Sequence, residues 1–532
     1  MDENKVENTA ESIWTEYQKG VSYNTALDLY NTIKTCENFY IGKQWEGLNA
    51  PDLPKPVINV LKRVVSYFIS MIVSDDVSAN FVPFIRDEAR EQECKILSKT
   101  VEEVIESCNI KALCREVVRD AAVCGDGALY LYFDTEKESG QAVRGGVSAE
   151  ILDTSCITVK NPANANLQAQ EYIIIAQRKT VSSVKAYAEK NGCSEDVISQ
   201  IVPDSDTNAY NPTESEEDEI CTVLYKFYKE DGKLLVVEST PTVILREARD
   251  TGLTLYPIAF MRWEKMRNSF HGVSAIKAQI PNQIAINQIF AMAIHSIKTM
   301  AFPKVIYDAS KISSWSNKVG QALGVHGNPN DAIATGYRAP EMSQQVFTLL
   351  ESLKQMTLEF MGASDATLGN IRPDNTSAII ATQQSSAMPL ELQRMEYFRF
   401  TEDYVRIIVD LVKGYFGTRE VSVELDGEEK LESVNFGELS TTNLNLTVDI
   451  GPSSYWSELM QTQTLDNLFN KGIISDASEY LERVPDKYLP GKAKLIENLK
   501  QKAEAANVPQ AGMTTPQSAM PTAPLTQGSP II

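Results

Sequence analysis

Apolar residues recur with helical spacing in three successive segments early in the chain. The first segment places five of them on one helical face: Ile58, Leu61, Val65, Ile69 and Ile72. The second and third segments run from Arg90 to Glu106 and from Lys111 to Val123. A spacing of three to four residues puts such side chains on the side of a helix that faces a core. The pattern therefore predicts three helices.

The hydrophobic period changes after the third helix. Gly125-Asp126-Gly127 predicts a turn, and the run from Ala128 to Phe133 predicts a strand. Four more short strands are predicted between Ser148 and Pro257, at Cys156–Val159, Tyr172–Ala176, Val223–Tyr228 and Leu234–Val237. The acidic stretch from Pro203 to Glu219 interrupts them and predicts a solvated loop. Helices and strands in this order predict an α+β fold.

A helical hairpin that carries a small knob is predicted in the middle of the chain. One long helix is expected from Ser274 to Met300, with Gln and Asn rather than charge on its polar side. Pro281 should kink this helix or make Asn282 the start of its main part. A turn-rich insertion with a strand at Lys304–Tyr307 follows, and a second helix is expected from Glu341 to Met361, ended by Gly362.

The last third returns to strands and then to helices. A helix capped by Thr376 or Ser377 is expected to reach Lys413 and to bend near Met388, because Pro389 lies inside it. Strands are predicted at Val421–Leu425 and Leu444–Ile450, and helix from Ser454 to Ala503. The remaining residues, rich in Pro, Gln, Thr and Ser, predict a disordered tail.

Charge narrows the range of functions. The 532 residues hold 50 Lys and Arg against 71 Asp and Glu, a formal net charge of −21, which argues against wrapping nucleic acid electrostatically. Only the segment 272–340 is a sizeable basic island, with six basic residues against Asp308 and Asp331, a net charge of +4. The basic residues are Lys277, Lys298, Lys304, Lys311, Lys318 and Arg338. Such a surface fits phosphates or an acidic partner, although chance composition explains it as well.

Catalytic and cofactor motifs are missing from the sequence. No G-x-x-x-x-G-K-[ST] loop, G-x-S-x-G elbow or H-E-x-x-H helix occurs, and the glycines at 125 and 127 precede a strand rather than a helix. Eight cysteines without a C-x-x-C spacing, together with three histidines, indicate neither a zinc site nor a disulfide framework. We expect a non-enzymatic protein that needs no metal or cofactor.

The sequence also predicts where the chain is made. Its first eight residues are polar and acidic, unlike a signal peptide, and the most apolar window, Val57 to Val73, is too short to cross a bilayer. Synthesis in the cytoplasm, without membrane insertion, is therefore expected.

Five local runs resemble the portal proteins of tailed bacteriophages. They are Asn38–Trp45 followed by Pro56–Asn59, the helix, glycine turn and strand of Ala122–Phe133, and Tyr256–Arg262 leading to Phe270–Ile276. The resemblance is diffuse and extends from about residue 36 to 500. The last pair of runs resembles the strand that leads into the first stem helix of portal proteins.

The resemblance implies a multidomain portal fold with a wing, a helical-hairpin stem, a small α/β clip and a helical crown. The implied divisions are an N-terminal wing (1–270), a first stem helix (271–301), a clip (302–340), a second stem helix (341–361), a tunnel loop (362–375), a bent helix returning to the wing (376–450), a crown (451–502) and a tail (503–532).

The same resemblance implies a function. Portal proteins form rings, usually of twelve subunits, at one capsid vertex of the virion, and double-stranded DNA passes through them during packaging and ejection. The implied partners are the terminase large subunit, the major capsid and scaffold proteins, and a head–tail adaptor. Residues expected to face the channel or these partners are Lys298, Lys304, Lys311, Lys318, Arg338, Asp365 and Arg372.

Two other functions remain open from the sequence. One is another virion structural or connector protein. The other is a metal-dependent nucleic-acid enzyme, for which the acidic pairs Asp75-Asp76 and Glu102-Glu103 are the available ligands. Trp45, Trp263 and Trp315 could stack on bases, although core or interface packing is the more common role of such side chains.

Overall fold

The computed structural model describes residues 8–73, 77–83, 88–138, 143–206, 219–301, 304–316, 318, 322–331, 334–337, 343–363, 388–425, 428–438, 444–450, 464–474, 477–484, 492 and 495–496. The chain divides into two compact units, Met1–Ser454 and Tyr455–Ile532. Each unit is described by itself.

The first unit begins with three helices: α1 (Ala10–Ala26), α2 (Leu29–Ile41) and α3 (Val60–Ile72). Asn59 caps α3, because its side chain accepts a hydrogen bond of 3.0 Å from the backbone N–H of Lys62. Leu61 and Val65 are fully buried in the main core, which confirms the core helix predicted from the apolar period.

The second and third predicted helices are also confirmed. They are α4 (Glu88–Ser107) and α5 (Ile110–Cys124), and α5 ends at Gly125 with φ +106°. The chain then enters β2 (Asp126–Asp134), which is the centre of a three-stranded antiparallel sheet. Its neighbours are β3 (Gly146–Leu152) and β9 (Ile258–Arg262).

A five-stranded antiparallel sheet follows, with its strands in sequence order. They are β4 (Ile157–Val159), β5 (Tyr172–Thr180), β6 (Ile220–Glu230), β7 (Lys233–Ser239) and β8 (Ile244–Asp250). The first four confirm the predicted strands. The fifth was missed because four of its seven residues are charged, three of them exposed. Helices α6 (Val181–Lys190) and α7 (Glu195–Ser199) lie between β5 and β6 and were also not predicted.

Both faces of this sheet are buried where α1 crosses it. Ile174 and Leu224 pack against Ile13 of α1, whereas Ile173 and Phe227 face the main core. Burial on both faces explains why β5 begins with an uninterrupted apolar run instead of alternating residues.

The helical hairpin and its knob are present, with corrected boundaries. The helices are α8 (Ile280–Ala301) and α9 (Gln344–Phe360), which contact each other, and the strands β10 (Lys304–Tyr307) and β11 (Ala334–Tyr337) pair antiparallel in the knob. The prediction that α8 starts at Ser274 is wrong, because a 3₁₀ turn, Lys277–Gln279, precedes Ile280. Pro281 lies in the first turn of α8, where its missing N–H has no intrahelical partner to lose. Gly362, at φ +72°, follows α9 as predicted.

The structure describes the predicted bent helix only from Met388 onward. Pro389 lies in a 3₁₀ turn, Met388–Leu390, directly before helix α10 (Glu391–Tyr415), so the described α-helix begins after the proline instead of running through it. The fixed φ and missing N–H of proline suit this position better than a helix interior. The predicted cap at residues 376 and 377 lies outside the described residues.

The last strands of the first unit confirm the predicted return to β structure. The hairpin of β12 (Thr418–Leu425) and β13 (Glu428–Asn435) follows α10, and β14 (Leu444–Ile450) pairs antiparallel with β1 (Val77–Pro83) near the start of the chain. In the second unit the structure describes helices at 464–470 and Ala477–Arg483, which fall within the predicted helical region. The predicted tail lies outside the described residues.

Candidate functional site

The segment that leads into the hairpin crosses the end of α5 at two glycines. The Trp263 N–H donates to the carbonyl oxygen of Gly125 at 2.9 Å. A Cβ on Gly125 would lie 3.0 Å from the carbonyl oxygen of Gly272, and one on Gly272 would lie 2.7 Å from that of Gly125. Only glycine allows this approach, and Gly125 also needs its positive φ. We call this crossing, residues 122–127 with 262–277, the hairpin root.

A buried polar cluster joins the two halves of the hairpin root. Nδ1 of His271 lies 2.7 Å from Oδ2 of Asp126, and the Gly272 N–H donates to Oδ1 of the same carboxylate at 2.7 Å. Nε2 of His271 lies 3.1 Å from Oδ1 of Asn24 on α1. All three side chains are at most 3% exposed. Three distant parts of the chain are thereby held together.

Ser274 attaches the start of the hairpin to the end of α5. Its hydroxyl donates to the carbonyl oxygen of Val123 at 2.6 Å and accepts from the N–H groups of Ile276 and Lys277 at 3.2 and 3.3 Å. The Ala275 N–H donates to the carbonyl oxygen of Ala122 at 3.0 Å. Ser274 therefore fixes the backbone where the 3₁₀ turn that leads into α8 begins.

Amide side chains of α8 bind the loop before α3. The Val60 N–H donates to Oε1 of Gln283 at 3.1 Å, and the Ile58 N–H donates to Oδ1 of Asn287 at 3.2 Å. Nε2 of Gln283 donates to the Ile58 carbonyl oxygen at 2.6 Å, and Nδ2 of Asn287 donates to Oε1 of Gln44 at 2.5 Å. This explains the amide-rich polar side of α8, since Gln283 and Asn287 are buried against backbone that has no helical partner.

Arg262, the last residue of β9, lies beside the hairpin root and is 7% exposed. Its guanidinium lies over the rings of Phe260 and Phe270, and it donates to the carbonyl oxygens of Phe270 and Ala165. Burial lowers the pKa of Arg262, although the more distant carboxylates of Asp126, Glu396 and Asp403 favour its charge. Arg262 also lines a cavity of about 360 Å³ between β9 and α10.

The hairpin carries a concentration of exposed apolar side chains. Four lie on α8 and four on α9: Ile284, Met292, Ile297, Met300, Phe347, Leu349, Met356 and Phe360. The most exposed is Phe360, at 72%. Apolar surface of this extent on a soluble chain usually meets a partner.

The structure describes four of the seven residues expected to face the channel or partners. Lys298, on α8, and Lys318, in the knob, are exposed. Lys304 lies in β10 opposite Tyr337. Lys311 is half-buried, and its Nζ donates to the carbonyl oxygen of Asp331 at 2.9 Å, so it holds the knob together. The other three, Arg338, Asp365 and Arg372, lie outside the described residues.

Trp263 and Trp45 are engaged within the protein. Trp263 is 5% exposed and packs on Phe68 with ring centroids 4.9 Å apart, which leaves it unable to stack on bases. The indole N–H of Trp45 donates to the Pro56 carbonyl oxygen at 2.7 Å. Trp315 stacks on Tyr307 in the knob at 5.9 Å.

The acidic pairs form no described metal site. Glu102 and Glu103 are exposed on α4, and residues 75 and 76 lie outside the described part of the chain. Across the residues that the structure describes, no group of three or more His, Cys, Asp or Glu side chains is arranged to hold a metal ion. Within those same residues, no helix is both long and apolar enough to span a membrane.

The residues that organise the hairpin root carry no direct signal in the sequence. The sequence around Asp126 predicts only a glycine turn, and no local pattern pairs Asp126 with His271. The signal that could have suggested the pairing is weak: an acid and a histidine, each beside a glycine, in an otherwise apolar context. Arg262 precedes Trp263 in the sequence, a weak combination of base and aromatic ring that does not predict its burial.

Comparison with protein families gives a match over more than half of the chain. The family model described as phage P22-like portal protein matches residues 164–529. The matched part includes most of the five-stranded sheet, β9, the hairpin with its knob, α10 and the second unit. No curated protein matches the chain.

Proposed function

The chain belongs to the phage P22-like portal protein family, and we propose from this that it forms a ring at one capsid vertex through which DNA is packaged and ejected. The family is structural and non-enzymatic, and its members are oligomeric components of the phage virion. The ring of twelve subunits, the channel and the docking of partners belong to the proposal.

The exposed apolar surface of the hairpin is the observation that carries this proposal. Met292 and Leu349 are 53% and 52% exposed, in the middle of α8 and near the start of α9. Burying such side chains against a second copy is favourable by roughly 25 cal/mol per Å² of apolar area. In a ring, each hairpin has a neighbour on both sides, so one surface can be covered repeatedly by heterologous contacts.

The charge distribution suits a conduit for DNA. A net charge of −21 opposes tight binding of the DNA phosphate backbone. Weak binding is required if DNA is to move along a channel. The knob and adjoining hairpin are the basic exception, and Lys298 and Lys318 are exposed there. We assign the knob to docking of the terminase large subunit during packaging and of a head–tail adaptor afterwards. Major capsid and scaffold proteins are the proposed partners of the rest of the ring.

Assembly of the purified full-length chain tests the proposal. We expect twelve-fold rings in negative-stain images and a ring-sized species in sedimentation velocity. Met292→Lys combined with Met356→Lys should weaken assembly at least tenfold, because charge would enter the subunit contact. Ile41→Lys, at a residue that is 47% exposed on α2, is the matched control. A chain that remains monomeric over a wide range of concentration and salt would contradict the ring.

A further inference from the structure

The guanidinium of Arg262 is a buried positive charge whose hydrogen-bond partners are neutral. It donates to two backbone carbonyl oxygens, those of Phe270 and Ala165. Within the described part of the chain, no carboxylate forms an ion pair with it, and Asp126 is taken up by His271 and the Gly272 N–H. A buried charge without an ionic partner is costly, unless an anion completes its surroundings.

The other charges that line the cavity already have partners. Glu396 pairs with Lys265 at 2.6 Å and with Arg399 at 3.2 Å. Arg406 pairs with Glu402 at 3.3 Å and with Asp403 at 3.7 Å. Arg262 is therefore the base in this cavity that lacks an acid.

The balance of charge selects the kind of anion. Four basic residues and three acidic residues line the cavity, which leaves a net charge of +1. One carboxylate neutralises it. DNA, with one phosphate charge per about 1.7 Å of helix axis, would meet Glu396, Glu402 and Asp403 as well and be repelled by them. A volume of about 360 Å³ has room for one or two inserted side chains.

We propose that the cavity between β9 and α10 binds an Asp or Glu side chain of a second copy of this chain, with Arg262 as its ionic partner. The inference rests on the proposed ring. The acidic chain, with 71 Asp and Glu, supplies such a side chain in every neighbour. Arg recognises carboxylates through a planar pair of N–H groups, and burial strengthens the bond. The contact would fix one subunit against the next close to the hairpin root.

The first test identifies the occupant directly. Full-length chains labelled with ¹⁴N and ¹⁵N are mixed, assembled and treated with a carbodiimide, which joins amines to nearby carboxylates without a spacer. Lys265 supplies the amine, because it lines the cavity. A link to Glu396 within one chain is expected in every sample, since their side chains already form an ion pair. The proposal predicts an additional link, from Lys265 to an acidic peptide of the other isotope, in assembled protein only.

The second test uses a change of one charge without a change of shape. Asn166 lines the cavity and accepts the Gln168 N–H through Oδ1, a bond that aspartate retains. Asn166→Asp therefore adds a carboxylate of the same chain, which should compete with the incoming one and weaken assembly about tenfold. Asn164→Asp is the matched control: Asn164 accepts the Asn166 N–H in the same way and does not line the cavity. It should assemble within about twofold of wild type.

The outcomes separate this inference from the proposed function. If rings form but Lys265 links only within its own chain, or if Asn166→Asp assembles like Asn164→Asp, the cavity does not bind a neighbour's carboxylate. If Asn166→Asp leaves assembly unchanged and instead weakens retention of DNA, the anion is a phosphate and the proposal is wrong. If the wild-type chain never assembles, both the proposed ring and the binding of a neighbour's carboxylate in the cavity are wrong.

Discussion

Nδ1 of His271 lies 2.7 Å from Oδ2 of Asp126, although 145 residues separate the two side chains in the sequence. The pair joins the strand that follows α5 to the segment that leads into the hairpin. Because both side chains are buried and the carboxylate also accepts the Gly272 N–H, the direction in which the hairpin leaves the first unit depends on this pair.

Removing the charge of Asp126 should destabilise the first unit strongly. We expect Asp126→Asn to lower the free energy of unfolding by about 3 to 5 kcal/mol, as is typical when one partner of a buried pair is lost. Urea unfolding followed by circular dichroism measures the change. Glu247→Gln, at an exposed carboxylate on β8, should stay within about 0.5 kcal/mol of wild type. Equal effects of the two variants would contradict the importance of the pair.

Buried amide side chains of α8 should contribute more to stability than exposed ones. Gln283→Leu removes the amide that accepts from the Val60 N–H and donates to the Ile58 carbonyl oxygen, and the loss of these two hydrogen bonds should cost about 2 kcal/mol. Faster amide hydrogen exchange in the first turn of α3 should accompany the loss. Gln288→Leu, on the same helix at an exposed position, should cost less than about 0.5 kcal/mol. A similar loss for both variants would mean that the effect comes from helix propensity instead.

Gly125 and Gly272, which lie against each other in the hairpin root, should not tolerate a side chain. Gly192→Ala, at φ +78° and with open space around it, should cost about 1 kcal/mol through backbone conformation alone. Gly125→Ala adds a contact of 3.0 Å with the Gly272 carbonyl oxygen and should cost about 2 to 4 kcal/mol. Thermal unfolding measures the stability that each variant loses. Equal losses would show that the contact with the Gly272 carbonyl oxygen contributes nothing.

Asp120 should make stability depend on pH in the acidic range. Burial raises its pKa to about 6, against the opposing effect of Arg119. The folded chain then binds this proton more tightly than the unfolded chain, whose carboxyl has a pKa of about 3.9. Stability should therefore fall as pH rises from about 4 to about 6, and change no further because of Asp120 above about 7.

Asp120→Asn isolates this contribution. Its curve of unfolding free energy against pH should be flatter than that of wild type between pH 4 and 6, by at most about 1.4 kcal/mol per pH unit. Other buried acids with raised pKa values, such as Asp403, remain in both proteins and cancel in the comparison. Parallel curves would show that Asp120 does not titrate in this range.

Reversing the exposed positive charges of the knob and the adjoining end of α8 should impair DNA packaging without impairing ring assembly. Lys298→Glu combined with Lys318→Glu should leave ring assembly intact and lower DNA packaging about tenfold, because an acidic partner or phosphate would be repelled. Lys311 is left unchanged, since it binds the Asp331 carbonyl oxygen. Lys95→Glu with Lys190→Glu makes the same change of charge at exposed positions on α4 and α6. Unchanged packaging by the knob variant would remove the knob from the docking surface.

The proposed tunnel loop is tested separately. Deletion of residues 366–372 should impair packaging or DNA retention if this segment contacts DNA in the channel. Quantifying packaged genomes before and after storage distinguishes the two defects. If packaging and DNA retention both equal those of the wild type, residues 366–372 do not act as a tunnel loop.

Local patterns in the sequence were sufficient to predict the features that depend on near neighbours. The apolar spacing from Ile58 to Ile72 predicted α3, and the glycine at 125 predicted the end of α5, because helical period and positive φ are local properties. The hairpin and knob followed from the same kind of evidence. Resemblance in a few short runs was enough to indicate the portal family before any contact was known.

The contacts between distant groups could not be predicted and follow from the folded chain. Asp126 and His271 become a pair because β2 and β9 are neighbours in one sheet, and the start of α8 moves to Ile280 because Ser274 is bound to the end of α5. The guanidinium of Arg262 is buried because the fold places the carbonyl oxygens of Ala165 and Phe270 where they accept its hydrogen bonds. Such contacts depend on chain topology and burial, which no local pattern of residues encodes.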